Sequence, residues 1–253
     1  MALKLKELSS GCKLRALGAL FLAGALAGCP AHPPRPALPA QAPPPPPLAP
    51  HEGRPYDVVA AGSLVTVLVY RGGTLEAAGH NHLIAARSLS GTIYVPADPL
   101  RASFEVQLPV AELTVDEPQL RAKESAADFP PEVPESARAG TRRNMLGEAL
   151  LDGAAYPEIV LRCERLEPGA GTGLVLARIE AQVRGARRSI TVPAHYRLDG
   201  GELSVWGETP LAQSELGLTP FSALLGALQV RDEMQVRFRI EARAADARGA
   251  AAH

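Results

Sequence analysis

The chain has 253 residues, 46% of them hydrophobic and 21% charged, with a formal net charge of -1. That balance supplies enough apolar material for one core but no basic field for gripping phosphate backbones, so nucleic acid is not an expected partner. Collagen-like, coiled-coil and wholly disordered classes fall away on the same composition. Half of the 24 prolines lie between Pro30 and Pro55, so the part that folds is shorter than the chain.

The N-terminus reads as an export signal. Lys4, Lys6, Lys13 and Arg15 give a positive region, and Leu14 to Ala27 is an apolar run too short for a permanent bilayer span. Leu26-Ala27-Gly28-Cys29 resembles the bacterial lipobox. The resemblance implies cleavage after Gly28 and lipidation of Cys29 with fatty acyl chains such as palmitate; several chains anchor stably where one binds only marginally. Pro30 follows Cys29, where an aspartate would resemble a signal for inner-membrane retention. The expected location is therefore the bacterial envelope, on the periplasmic face of the outer membrane.

Loss of residues 1 to 28 removes four basic side chains and one acid, taking the net charge from -1 to -4. Cys12 leaves with the signal, so Cys163 has no intramolecular disulfide partner. It alternates with Ile159 and Leu161 and reads as a small buried apolar residue. Residues 29 to 56 form a lipidated, proline-rich tether. At about 3.1 Å per residue in polyproline II form, it reaches up to roughly 80 Å.

A period of two dominates from Asp57 onward. Phe104, Val106 and Leu108 alternate with Ser103, Glu105 and Gln107, as in a strand with one dry and one wet face. Val175, Ala177, Ile179, Ala181 and Val183 oppose Arg178, Glu180, Gln182 and Arg184 in the same manner. Ile190, Val192, Ala194, Tyr196 and Leu198 form a third dry face, and Met234, Val236, Phe238, Ile240 and Ala242 a fourth. Shorter strands are predicted over Leu64 to Tyr70, Thr74 to Ala78, Gly91 to Pro96, Glu158 to Glu164 and Glu202 to Glu208.

Asp199-Gly200-Gly201 is a tight hairpin signal, and Gly169 to Gly173 separates another strand pair. The latter is glycine-rich but precedes a strand pattern, without the βαβ context of a dinucleotide loop. Short helices are predicted over Pro118 to Ala127 and Thr141 to Leu151. In the second, Met145, Leu146, Ala149 and Leu150 share a face. So many strands with so few helices must stack as two sheets or close on themselves, and closure removes the edges. The expected fold is all-β: an antiparallel barrel of about eight strands over residues 57 to 243, with a disordered alanine-rich tail over residues 244 to 253.

His80 and His82 are the residues most suggestive of chemistry. At positions i and i+2 of an extended chain, about 6.5 Å apart, both rings could approach one metal ion given a third ligand. His195 is the other histidine of the folded region, and its strand pattern puts it on the wet side with Ser189, Thr191 and Arg197. Hydrogen bonding at a barrel mouth, contact with a ligand's polar head and structural pairing are the competing roles. The sequence contains no G-x-S-x-G, H-E-x-x-H, C-x-x-C or P-loop pattern, so no catalytic residue and no cofactor is assigned.

The domain resembles the YceI-like family of periplasmic, lipocalin-like barrels associated with polyisoprenoids and related amphiphiles. The resemblance rests on His80-Asn81-His82, Gly91, Met145-Leu146, Leu151-Asp152, Tyr156-Pro157-Glu158-Ile159 and Val183-Arg184-Gly185. It continues through Ile190-Thr191-Val192-Pro193, Leu216-Gly217-Leu218 and Val230-Arg231-Asp232. Leu216 departs from the family's usual phenylalanine, and Pro130, Pro131 and Pro134 interrupt the central connection.

The resemblance implies a non-catalytic carrier or sequestering protein for an isoprenoid, quinone-like or other amphiphilic ligand. The dry faces on Phe104, Val106, Leu108, Val175, Ala177, Ile179, Ala181, Val183, Ile190, Val192, Ala194, Tyr196, Val236, Phe238 and Ile240 would line the cavity. His80 and His82 would meet the ligand's head, and Leu218 to Leu228 would serve as a flap or as ordinary packing. The alternatives are a metal-binding protein or enzyme built on His80 and His82, and an envelope-interaction module whose barrel is filled by its own side chains.

Overall fold

A computed structural model describes residues 51 to 245. The signal, Cys29, nearly all of the tether and most of the C-terminal tail lie outside these residues. The first strands are β1 (Arg54–Val58), β2 (Leu64–Gly72), β3 (His82–Ala86), β4 (Ser90–Val95), β5 (Ser103–Pro109) and β6 (Thr114–Val115). Two helices follow, α1 (Pro118–Arg121) and α2 (Glu135–Leu146). The chain then runs through β7 (Glu158–Pro168), β8 (Leu174–Val183), β9 (Ala186–Asp199), β10 (Glu202–Ala212), β11 (Ser222–Ala223) and β12 (Leu228–Ala244).

These segments form a closed antiparallel barrel of eight staves. The first three staves are each broken in two: β1 with β2, β3 with β4, and β5 with β6. Each stave pairs with its neighbour in sequence, and β12 closes the ring by pairing with β10 on one edge and with β1 and β2 on the other. Where β1 gives way to β2, Ser63 repairs the ladder: its Oγ accepts from the Glu241 N–H at 3.0 Å and donates to the Val59 carbonyl at 2.9 Å. Closure gives each stave a neighbour on both sides; among the described strands the short β6 at the helical end pairs with β3 alone.

The barrel has two different ends. At the hairpin end lie residues 96 to 102, the β7–β8 turn and the β9–β10 turn. Gly200 and Gly201 take φ of 55° and 95°, as a two-residue hairpin turn requires. At the opposite, helical end lie the β2–β3 and β10–β12 loops and the long β6–β7 connection carrying both helices. There the β8–β9 turn places Arg184 and Gly185 at φ of 49° and 72°. A Cβ on Gly185 would lie 2.6 Å from the Tyr156 ring, so the Tyr156-Pro157 corner packs directly on this turn.

Several predicted elements shift. Residues 74 to 78, expected as a strand, form a turn with a short 3-10 segment Glu76–Ala78, all of it exposed. Gly72 and Gly73 end the preceding strand before that segment can find a partner. The first helix stops at Arg121 rather than Ala127, and the second is α2, which starts at Glu135 rather than Thr141 and ends before Gly147. Pro134 sets its start, since proline suits a helix entrance and is excluded from a helix interior. β1, β3, β6 and β11 lie outside the predicted strands.

Candidate functional site

The inward faces of the staves do not meet. They enclose a cavity of about 350 Å³, at the lower end of ligand-pocket sizes. Its wall carries Phe104, Val106 and Leu108 from β5, Val175, Ala177, Ile179, Ala181 and Val183 from β8, and Ile190, Val192, Ala194 and Tyr196 from β9. Val236, Phe238 and Ile240 from β12 complete the set predicted from alternation. The wall also includes residues absent from that set: Val65, Val67 and Val69 of β2, Ile84 and Ala86 of β3, and Leu203, Val205 and Leu211 of β10. The β2 valines alternate with Leu64, Thr66 and Leu68 in a nearly continuous apolar run, and β3 is buried on both faces, so neither strand shows a clear dry and wet side.

No charged side chain lines this cavity. Its polar members are Thr209, Gln213 and Tyr196, and Gln213 is engaged by the Arg231 carbonyl at 2.8 Å. A wall of this kind accepts hydrocarbon and rejects charge, because an unpaired ion transferred there would lose its hydration without compensation. Met145, Leu151 and Leu218 are buried and close the helical end. Leu198 lines the cavity yet remains 43% exposed, which places a mouth at the hairpin end.

The segment expected as a flap divides in two. Leu218 belongs to the cavity wall, whereas Leu224 and Leu225 project into solvent at 68% and 109% exposure.

Neither His80 nor His82 is part of the wall. His80 is exposed, while His82 is buried in a polar network behind it. His82 Nδ1 meets Asp116 Oδ2 at 2.6 Å, and Nε2 meets Thr141 Oγ1 at 3.0 Å. Asp116 Oδ1 accepts from the Leu83 N–H at 2.9 Å and from Arg121 Nη1 at 2.6 Å. Arg121 also donates to the Asn81 and Pro130 carbonyls at 2.8 and 2.9 Å, with the Phe129 ring 5.4 Å away.

Burial by itself pushes the Asp116 carboxyl up. The hydrogen bonds from His82 and Leu83 and the charges of His82 and Arg121 outweigh it, holding the group below the usual carboxylate range. This network fastens the β6–β7 connection and α2 to β3.

Carboxylate, imidazole and hydroxyl stand here in the order of an activated nucleophile. Thr141 does not line the cavity, so its hydroxyl meets no ligand held there. The His80 and His82 rings are 6.1 Å apart, but the described residues contain no group of three metal-ligating side chains. His195 is exposed on β9 and stacks on Trp206.

Cys163 is partly buried, its Sγ 3.5 Å from the Ala102 carbonyl. Burial pushes its thiol up to about 11, with the Glu164 carboxylate adding to the effect. The reactive thiolate is scarce at neutral pH as a result. Maleimide is expected to label the folded protein at least about tenfold more slowly than the urea-unfolded chain at pH 7; equal rates would place the thiol in open solvent.

A family model for the YceI-like domain matches residues 56–242. Among solved structures, Burkholderia cenocepacia BcnA is similar at a TM-score of 0.52 and 16% identity, over 73% of this chain and 98% of its own. A polyisoprenoid binding domain from Saccharophagus degradans, implicated in plant cell wall breakdown, is similar at 0.48 and 12%, over 75% of this chain and 98% of its own. The Campylobacter jejuni YCEI protein is similar at 0.45 and 10%, over 63% of this chain and 83% of its own. No curated protein matches the chain.

Proposed function

The chain belongs to the YceI-like domain family, and from that premise we propose that it binds the hydrocarbon part of an isoprenoid-like or other amphiphilic ligand inside the barrel. It acts as a carrier or sequestering protein and performs no catalysis. The observation that carries this reading is the apolar, uncharged cavity of about 350 Å³ inside a closed barrel. Each methylene moved there from water contributes about 0.8 kcal/mol, so a modest length of chain offsets its own loss of freedom.

Organic extraction of protein purified from its native envelope, followed by mass analysis, is expected to yield one hydrophobic species near equimolar amount. Extracts free of lipid across several preparations would overturn the proposal.

The reading extends to location. Cys29 carries the lipid anchor, and the proline-rich tether holds the barrel off the outer membrane on its periplasmic side. Support comes from the lipobox-like Leu26-Ala27-Gly28-Cys29 and the apolar run before it. Cys29→Ser is expected to move the protein from the membrane fraction to the soluble envelope fraction. Retention in the membrane fraction would refute the anchor while leaving the cavity untouched.

A further inference from the structure

The β6–β7 connection builds a second concavity outside the barrel, lined by Asp116, Pro118, Arg121, Pro131 to Pro134 and Arg138. We propose that this cleft is a binding site for a phosphoryl oxyanion, held by Arg121, Arg138 and the N-terminus of α2. The inference is independent of the barrel cavity.

Its basis is an excess of donors. The Arg121 side chain is 1% exposed, and Nε and Nη1 spend their hydrogen bonds on Pro130, Asn81 and Asp116. Nη2 is equally buried and meets no protein acceptor. Arg138 repeats the pattern: Nη2 pairs with Glu135, and its buried Nε meets no acceptor. The 12-residue helix α2 opens on the same cleft behind Pro134, with no side chain capping its first turn. Its leading amides and the positive end of its dipole add to the two guanidinium groups.

The acceptors in reach are already used. Asp116 serves Leu83 and Arg121 through one oxygen and His82 through the other, and Glu135 serves Arg138. Glu132 is the remaining lining carboxylate, and it is exposed. Buried charged donors left without acceptors are costly, so the missing partner is an acceptor with several oxygens. Donors from two helices, the Arg121 guanidinium on α1 and the Arg138 guanidinium with the leading amides on α2, suit a tetrahedral phosphoryl group, which offers three such oxygens, better than a planar carboxylate with two. Free phosphate and a phospholipid headgroup share this chemistry.

Inorganic phosphate titrated into the purified full chain, followed by calorimetry and phosphorus NMR, is expected to bind saturably, with sulfate competing and acetate not. Arg138→Ala and Arg121→Lys should each weaken phosphate about tenfold or more with circular dichroism unchanged. Should Arg121→Lys fail to fold, Arg138→Ala carries the test, since that side chain is 32% exposed. Short-chain phosphatidylglycerol competing more strongly than phosphate would support the site with a lipid headgroup as its source. Competition no stronger than phosphate would support it with the free ion. Absence of saturable binding, unchanged affinity in Arg138→Ala, or acetate competing as well as sulfate would each overturn the proposal.

Discussion

Asp116→Ala is expected to destabilise the domain by about 3–5 kcal/mol, the range for removing one partner of a buried ion pair. The carboxylate is the one acceptor shared by His82, the Leu83 N–H and Arg121, and the Arg121 side chain is 1% exposed. Its loss leaves a buried guanidinium charge and a strand amide without their partner. Asp116 also sits at φ 54°, a backbone region that aspartate tolerates better than alanine. Asp116→Asn keeps the shape and the backbone tolerance but drops the charge, so its loss should be smaller.

The dependence on pH has a definite sign. Asp116 is held below the usual carboxylate range in the folded state, so its contribution is present above the ordinary aspartate value, about 3.9. It disappears as pH falls through the lower folded value. Urea unfolding of wild type and Asp116→Ala should therefore differ strongly at pH 7 and converge in strong acid. Equal midpoints at pH 7 would show that the network is not structural.

Ala181→Phe is expected to lower the amount of bound lipid more than tenfold while the fold survives. Ala181 is 1% exposed, lies on β8 opposite Leu161 of β7, and contributes to the cavity wall. A benzyl group there projects into a space of about 350 Å³, which has little to spare once a chain is inside. Extra bulk in a filled core costs about 1–3 kcal/mol, but in an open cavity the new ring gains contacts instead. Thermal unfolding should shift by only a few degrees, roughly as expected for an effect of this size in a domain of about 190 residues. Equal lipid content in wild type and variant would remove the cavity as the binding site.

Much of the wall is local information. Val175 to Val183 and Val236 to Ile240 alternate against charged neighbours, and that pattern alone assigns each side chain to a dry or wet face. The same reading misses β3, where Leu83 and Ala85 pack outward against Leu120 while Ile84 and Ala86 face the cavity. A strand covered on both sides has no wet face to mark it. The helix frame failed for a different reason. Met145 and Leu150 do reach the wall, but α2 starts at a proline entrance and ends before Leu150, which follows in a turn.

His82 shows the limit most plainly. Its spacing from His80 suggests a shared ligand, yet its partners are Asp116 and Thr141, 34 and 59 residues away. Nothing local encodes those pairings.

From sequence alone came the strand faces, the hairpin turns, the family resemblance and the apolar character of the interior, because each depends on neighbours a few residues apart. Tertiary structure decided the rest. Closure requires β12 to pair with both β10 and the β1–β2 stave. Whether the enclosed side chains fill the ring depends on volumes summed across all eight staves. The buried charge network exists only because the β6–β7 connection folds back onto β3, joining groups whose attraction acts through space and leaves no periodic trace along the chain.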